Sequence, residues 1–137
     1  MSSFINISEA STIAMHSLAL IARSKEKLNA NRLADLTLFS TNHLAKVLHL
    51  LVKHNYLSSL RGPLGGFELK ANPNEISLLE IYELIEGELE RFQCAITCHD
   101  CYFEECLFGN FPQKFSGEFK DYLKGKNIND FKLKNTL

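Results

Sequence analysis

All four cysteines of this chain lie in one short stretch, residues 92–108. They are Cys94, Cys98, Cys101 and Cys106, and no obvious helical or strand pattern runs through them. Thiolates are soft metal ligands, and several of them can converge on one centre only where the backbone folds back on itself. The stretch therefore predicts a metal-binding loop.

The distribution of charge separates the two halves of the chain. The formal net charge of −1 argues against DNA binding, because duplex binding depends on Lys and Arg neutralising phosphates. However, residues 1–70 carry eight Lys or Arg against four acids, whereas residues 71–137 carry seven against twelve. The front half can therefore face phosphates, and the rear half cannot.

Length and composition predict one integrated domain in a reducing compartment. The chain has 137 residues, 45% of them hydrophobic, and we expect two parts, residues 1–75 and 76–137, around one core. The sequence shows neither a secretion signal nor an uncharged stretch of about 18 residues, so we expect a cytoplasmic protein. Cysteine clusters in that compartment more often serve metal or redox chemistry than disulfides.

An enzymatic role for the cysteines is not supported. A thiol-disulfide oxidoreductase built on Cys98 and Cys101 requires a βαβ setting that the pattern lacks. The sequence also shows no catalytic triad, no paired acid and base carboxylates and no nucleotide-binding loop. We therefore expect a protein that is not an enzyme.

Helical spacing of apolar residues predicts three helices in the front half, over residues 7–22, 32–38 and 41 to about 54. Ser8 and Ser40 are the expected N-caps of the first and third. Two helices joined by a short turn, the second with a polar and basic outer face, indicate a helix-turn-helix. A solvated surface helix gives the same pattern in isolation.

The next segment favours the DNA-binding interpretation. Residues 56–60 and 66–70 have strand character and are joined by a loop rich in glycine and proline, which predicts a hairpin. A hairpin directly after a recognition helix is a wing, and Arg61 at its tip suits the negative potential of a minor groove. A phosphate-binding nucleotide loop is excluded because the segment lacks a Gly-Lys-Ser/Thr ending and no helix follows it.

These elements predict a set of DNA contacts. Base readout requires donors and acceptors at the N-terminus of the recognition helix, and Asn42 and His43 supply both. The predicted contacts at the major groove or its phosphates are Ser40, Thr41, Asn42, His43 and Lys46, and those at the wing are Arg61, Gly62 and Pro63.

Two further helices are expected in the rear half. Ser77 and Glu80 form a capping-box pattern that begins a helix over residues 78–86. Residues 112–124 carry aromatic side chains at helical spacing, which favours burial against a second copy, although completion of the chain's own core accounts for the pattern equally well. The expected fold is mainly α with a small β-hairpin wing: a winged helix-turn-helix followed by a long C-terminal dimerisation helix.

Several of these motifs resemble the Rrf-two (Rrf2) family of bacterial winged-helix regulators. The resemblance rests on the wing sequence at 58–69, the run at 76–82 and the cysteines that end in Cys106, and residues 14–20 resemble the family's first helix. It implies a homodimer that binds a palindromic double-stranded operator. It also implies a transcriptional repressor whose operator affinity is controlled by an iron-sulfur cluster, 2Fe-2S or 4Fe-4S, that senses nitric oxide, redox or iron-sulfur status.

The resemblance also implies a ligand set. Relatives carry three cysteines with five residues in each gap, and Cys94 and Cys106 keep the outer separation of twelve. The middle ligand is then Cys101 or Cys98, and we prefer Cys101. This departure from the usual spacing leaves both cluster types open.

A fourth ligand is needed beside three thiolates. Some relatives use a histidine at the position of Gly109, whereas others use a histidine or carboxylate of the first helix, where His16 matches. The predicted metal ligands are therefore Cys94, Cys101, Cys106 and His16. Glu9 shares the face of His16 but lies about 10 Å away along the helix axis, and Cys98 is a further alternative.

A structural zinc site is the alternative to the cluster. Cys98 and Cys101 have the spacing of a zinc-binding pair. Such a site would make the chain a winged-helix DNA-binding protein without redox sensing.

Overall fold

The structure, a computed structural model, describes residues 5–90, 94–96 and 99–137. Within these ranges, no helix is both long and apolar enough to cross a lipid bilayer. Two short 3-10 turns, Pro73–Glu75 and Ile128–Asp130, accompany the helices and strands. The α-helices and β-strands, in chain order, are α1 (Glu9–Arg23), α2 (Ala30–Thr37), α3 (Thr41–Lys53), β1 (Leu57–Leu60), β2 (Gly66–Leu69), α4 (Leu78–Glu86) and α5 (Phe111–Gly125).

Polar caps fix where the first three helices begin. Ser8 accepts a hydrogen bond from the Ser11 amide at 3.1 Å and begins α1, and Ser40 begins α3 in the same way. Asn29 caps α2, which therefore starts two residues earlier than the apolar pattern predicts. Leu38 ends α2 in the left-handed conformation. The two serine caps agree with the prediction, whereas the apolar pattern of the sequence does not reveal the Asn29 cap.

The core of the front half is a three-helix arrangement under the hairpin. The apolar residues of α1, α2 and α3 recur at helical spacing, so one face of each helix can turn inward. Burying a side chain of this size stabilises the fold by about 1.5–3 kcal/mol. The fully buried side chains here are Ile13, Leu18, Leu33, Leu44, Leu48, Leu51 and Leu57.

The hairpin is antiparallel and is fixed to the segment between α1 and α2. Its register pairs Leu57 with Leu69 and Leu60 with Gly66. The Phe67 amide donates to the Leu28 carbonyl at 2.8 Å, so Leu28 adds a third, one-residue strand beside β2. A Cβ on Gly66 would lie 2.8 Å from that carbonyl oxygen, so glycine is what allows this close approach.

The capping box at α4 also connects that helix to Tyr56, the residue before β1. Ser77 accepts from the Glu80 amide at 3.1 Å, and Glu80 accepts from the Ser77 amide at 2.8 Å. The Tyr56 hydroxyl donates to the second Glu80 oxygen at 2.8 Å. Burial, followed by this hydrogen bond and the charge of Glu80, raises the pKa of Tyr56 to about 12. The predicted helix over residues 78–86 is confirmed.

The C-terminal end of α4 is joined to the N-terminal end of α1 by Glu86. Its carboxylate accepts from the Ser8 amide at 3.1 Å, from the Ser11 hydroxyl and from the Asn6 side chain at 2.9 Å. Burial acts to raise the pKa of Glu86, but these hydrogen bonds outweigh it, so the pKa of Glu86 lies below its ordinary value. The negative charge also suits the helix N-terminus beside it.

Helix α5 uses one face to complete its own chain's core and leaves another exposed. Leu123 is buried, and Phe119 meets Tyr82 of α4 edge-on with ring centroids 5.4 Å apart. The exposed fractions of Phe111, Phe115 and Tyr122 remain 59%, 52% and 53%. Those three residues are spaced by four and seven, so they form one stripe along the helix. We call it the aromatic stripe.

Candidate nucleic-acid interface and metal centre

The N-terminal end of α3 presents its polar residues to solvent. Ser40, Thr41, Asn42 and Lys46 are exposed. His43 is partly buried, and its Nδ1 lies 3.6 Å from a carboxylate oxygen of Glu9 on α1. The predicted recognition residues therefore share the exposed first turns of one helix, which is the part of a recognition helix that meets base edges.

The wing tip has a backbone that only glycine allows at two positions. Gly62 has a φ of +104°, and its carbonyl accepts from the Gly65 amide at 3.0 Å. A Cβ on Gly65 would collide with the Leu60 carbonyl oxygen. Arg61 and Pro63 are exposed at this tip, so the predicted wing residues are presented to solvent by a tightly closed loop.

Two exposed apolar residues border these polar ones and were not predicted from the sequence. Leu38, in the turn before α3, is 90% exposed, and Leu64, at the wing tip, is 91% exposed. Apolar side chains at a DNA interface contact thymine methyl groups. The position of Leu64 between Pro63 and Gly65, outside the strand alternation, was the available signal.

The cysteine loop is far more open than the front half. Cys94 and Cys106 are exposed, Cys101 is partly buried, and all three are free thiols. Cys98 lies outside the described residues. Within the described ranges, no three His, Cys, Asp or Glu side chains form a metal-binding group, so the structure of one chain does not bring the predicted ligands together.

His16 is exposed on α1, and its ring is held by the helix backbone. Nδ1 lies 2.8 Å from the Thr12 carbonyl oxygen. In the tautomer in which Nδ1 donates this hydrogen bond, Nε2 keeps a lone pair for an external ligand, as is usual for metal-binding histidines. Glu9 is instead turned toward His43, which favours His16 over Glu9 as a ligand.

His16 also borders an apolar groove between α1, α4 and α5. The groove has a volume of about 420 Å³, and Met15, Tyr82, Tyr122 and Phe131 are among the side chains that line it. Tyr122 belongs to the aromatic stripe, so the predicted fourth ligand and the exposed face of α5 lie on the same side of the molecule.

The fold and the exposed residues define the class of protein. Helices α2 and α3 with the turn between them, followed by the β1–β2 hairpin, make a winged helix-turn-helix, as the sequence predicted. The chain belongs to the Rrf2 family, described as iron-dependent transcriptional regulators, whose match spans residues 7–132. It is therefore a transcriptional regulator and, as expected, not an enzyme.

Individual relatives agree with this assignment. A protein of Aquifex aeolicus described as an HTH-type transcriptional regulator is 31% identical over 121 residues, which are 82% of this chain and 84% of that protein. The HTH-type transcriptional regulator NsrR of Shouchella clausii is 36% identical over 78 residues, or 56% of this chain and 52% of that protein. The chain thus spans about half the length of NsrR.

Solved structures show the same fold at low sequence identity. CymR, the global cysteine regulator of B. subtilis, superposes with a TM-score of 0.75 at 18% identity and covers 92% of this chain and 95% of its own. IscR of T. potens gives a TM-score of 0.65 at 19% identity and covers 92% and 85%. These two regulators share the fold, so the fold alone does not select the signal.

Proposed function

We propose that this chain is a transcriptional repressor whose affinity for its operator depends on an iron-sulfur cluster. In this proposal a homodimer places two recognition helices on a palindromic operator. Cys94, Cys101, Cys106 and His16 ligate the cluster. The observation that carries the proposal is the position of the free thiols, since Cys106 lies only five residues before α5, the helix with the aromatic stripe.

The DNA-binding part of the proposal rests on the exposed first turns of α3 and on the wing. Thr41, Asn42 and His43 offer hydrogen-bond donors and acceptors to base edges, and Lys46 offers a positive charge to phosphate. Arg61 extends from the tip of the wing toward an adjacent minor groove.

The dimer rests on the aromatic stripe. Phe111 and Phe115 stack with their ring centroids 6.2 Å apart and remain half exposed. Leu107 and Phe108, in the preceding loop, are also exposed. Exposed apolar side chains grouped on one helix and the loop before it mark a protein interface, and a two-fold dimer matches the two half-sites of a palindrome.

The cluster rests on the chemistry of the donors. Three free thiols and an imidazole with an available Nε2 fit an iron-sulfur group, and the family description names iron dependence. When bound, the cluster supplies redox activity and reactivity toward oxidants and nitric oxide. The chain's own part is to hold the loop before α5 in one geometry, and that geometry affects the spacing of the two recognition helices through the dimer.

The decisive experiment compares holo and apo protein on one duplex. The duplex is selected from a random-sequence pool by anaerobically purified wild-type protein, and binding is measured at a single salt concentration. We expect cluster loss, or the Cys101→Ala substitution, to change affinity at least ten-fold. Equal affinities for holo, apo and Cys101→Ala protein would contradict cluster control.

The absorption spectrum distinguishes the remaining alternatives. A brown protein with a visible charge-transfer band supports the cluster, whereas a colourless protein that contains zinc would make the centre structural. A cluster that survives Cys101→Ala but not Cys98→Ala would show that Cys98 is the middle ligand.

Two variants test the DNA-binding and dimer surfaces. Arg61→Ala is expected to weaken binding to the selected duplex, whereas Lys53→Ala, at the far end of α3, leaves it unchanged.

Phe115→Glu combined with Tyr122→Glu is expected to give monomers in sedimentation. Wild-type protein that is monomeric at micromolar concentration would contradict the dimer.

A further inference from the structure

The first part of the C-terminal tail is fixed to the segment that begins α4. The Leu78 amide donates to the Lys126 carbonyl, and the Ile128 amide donates to the Ile76 carbonyl, both at 2.9 Å. Ile128 is fully buried. These contacts hold the start of the tail against the beginning of α4.

Arg23, the last residue of α1, holds the next part of the tail. Its guanidinium donates to the Asn129 carbonyl at 2.5 Å and to the Phe131 carbonyl at 2.9 Å. Because both carbonyls are fixed by one side chain, residues 132–137 continue alongside the connection between α1 and α2.

The tail and this connection enclose a cleft of about 520 Å³, which we call the tail cleft. Among the described residues that line it, Glu26 is the one acidic side chain. Five basic side chains line it, namely Arg23, Lys25, Arg32, Lys132 and Lys134. Arg23 donates to the neutral tail carbonyls, so the other four cations, partly offset by Glu26, are the ones available to contact an anion. A cleft in which positive side chains outnumber negative ones concentrates a positive field on such a ligand.

The tail cleft lies beside the wing. Leu28 lines the cleft, and its carbonyl accepts from Phe67 of β2. Gly66, which begins β2, packs directly on the backbone of Leu28 and Asn29. The wing tip ends at Gly65, one residue before β2, so the cleft is next to the segment predicted to enter a minor groove.

We infer that the tail cleft binds a backbone phosphate of the DNA that flanks the operator half-site. The inference rests on the proposed DNA binding and extends it, because it assigns a DNA contact to the rear half of the chain. That half is acidic as a whole, yet residues 131–137 contain two lysines and no acid. The position of the tail places Lys132 and Lys134 in the cleft beside the wing.

The test measures the salt dependence of DNA binding for matched variants. Lys132→Gln with Lys134→Gln removes two charges from the tail cleft, and Lys114→Gln with Lys124→Gln removes two exposed charges from α5. The probe is the duplex selected by the wild-type protein, extended by 10 base pairs of random sequence on each side. Thermal unfolding checks that both variants remain folded.

We expect the tail variant to reduce the slope of log affinity against log salt by about 1, because one phosphate contact is lost, and to weaken binding about 5- to 30-fold near 0.15 M salt. The α5 variant should match the wild type in both respects. Lys25→Gln alone should reduce the slope by about 1, because it removes a single phosphate contact at the same site. An unchanged slope and affinity in the tail variant would overturn the inference.

The outcomes separate this inference from the proposed function. Wild-type protein that selects no duplex sequence would contradict the proposed function itself. Normal, selective DNA binding with an unaffected tail variant would contradict only the tail cleft. Titration with inorganic phosphate covers the other source of the same chemistry. Phosphate binding that is lost in the tail variant without any change in DNA binding would reassign the cleft to a free anion and overturn the DNA contact.

Discussion

The front half of the chain and the cysteine loop are held in place in different ways. In the front half, α1, α2, α3 and the hairpin bury a shared apolar core, and capping side chains fix the helix starts. In the described residues 99–110, every side chain is exposed except that of Cys101, which is partly buried. The first region is held by its own buried contacts, whereas the second has few buried side chains to fix its geometry.

This difference suits a regulator that responds to a ligand. A recognition surface that depends on the buried core keeps its shape whether or not the ligand is present. A loop with few contacts of its own changes its order at low free-energy cost when a ligand binds. In the proposed function, the site of the signal and the site of DNA binding therefore differ in stability as well as in position.

The largest expected effect distinguishes a core leucine from a loop leucine. Leu48 is fully buried, so Leu48→Ala should lower the free energy of unfolding by about 2–5 kcal/mol. Leu107 is 75% exposed, and Leu107→Ala should change the free energy of unfolding of the metal-free protein by less than about 0.5 kcal/mol. Urea unfolding of both variants measures the difference. Similar losses would mean that the loop contributes to the core.

An intermediate effect is expected at the junction of the wing with the head. Gly66→Ala places a methyl group 2.8 Å from the Leu28 carbonyl oxygen at a φ of +154°, which should destabilise the fold by about 1–3 kcal/mol. Gly117 in α5 has open space around it, so Gly117→Ala should stabilise by about 0.5–1 kcal/mol. Changes in unfolding free energy of opposite sign for the two substitutions would support the close contact between Gly66 and Leu28. A Gly66→Ala variant as stable as the wild type would argue against that contact.

The smallest effect concerns Glu86 and depends on pH. Glu86→Gln should cost about 1 kcal/mol of unfolding free energy at pH 7, because the charged acceptor for Ser8, Ser11 and Asn6 is lost. The folded-state pKa of Glu86 lies below the ordinary value of 4.5, so its contribution is present above pH 4.5 and is lost as pH falls through the folded-state pKa. Unfolding measured from pH 7 to pH 3 should show the two proteins converging. A difference that stays constant over this range would contradict the role of the charge.

The sequence predicted the front half well because its signals are local. Ser8 and Ser40 mark helix starts by hydrogen bonds within three residues, and the structure contains both. In the rear half, the Ser77–Glu80 pair marks the start of α4 in the same way. The wing was predicted from its glycines, two of which are needed for close backbone contacts. Asn29 was missed because no clear apolar periodicity follows it directly.

The remainder depends on contacts between residues distant in sequence. The aromatic residues of α5 looked equivalent, yet Phe119 packs on Tyr82 while Phe115 stays exposed. The negative net charge of the rear half gave no indication that its last residues are basic. It also gave no indication that Arg23 of the front half binds the start of this tail. No local pattern reports which residues a tail or a terminal helix meets. The metal ligands remain a prediction, because the described residues of one chain do not bring three such side chains together.

Amide hydrogen exchange on metal-free and reconstituted protein tests the contrast between the two regions most directly. We expect amides in residues 99–110 to exchange rapidly without the cluster and to gain at least ten-fold protection after anaerobic reconstitution. Amides of α3 and β1 should be protected equally in both samples. Strong protection of residues 99–110 in metal-free protein, or an α3 that becomes ordered only with the cluster, would contradict the account.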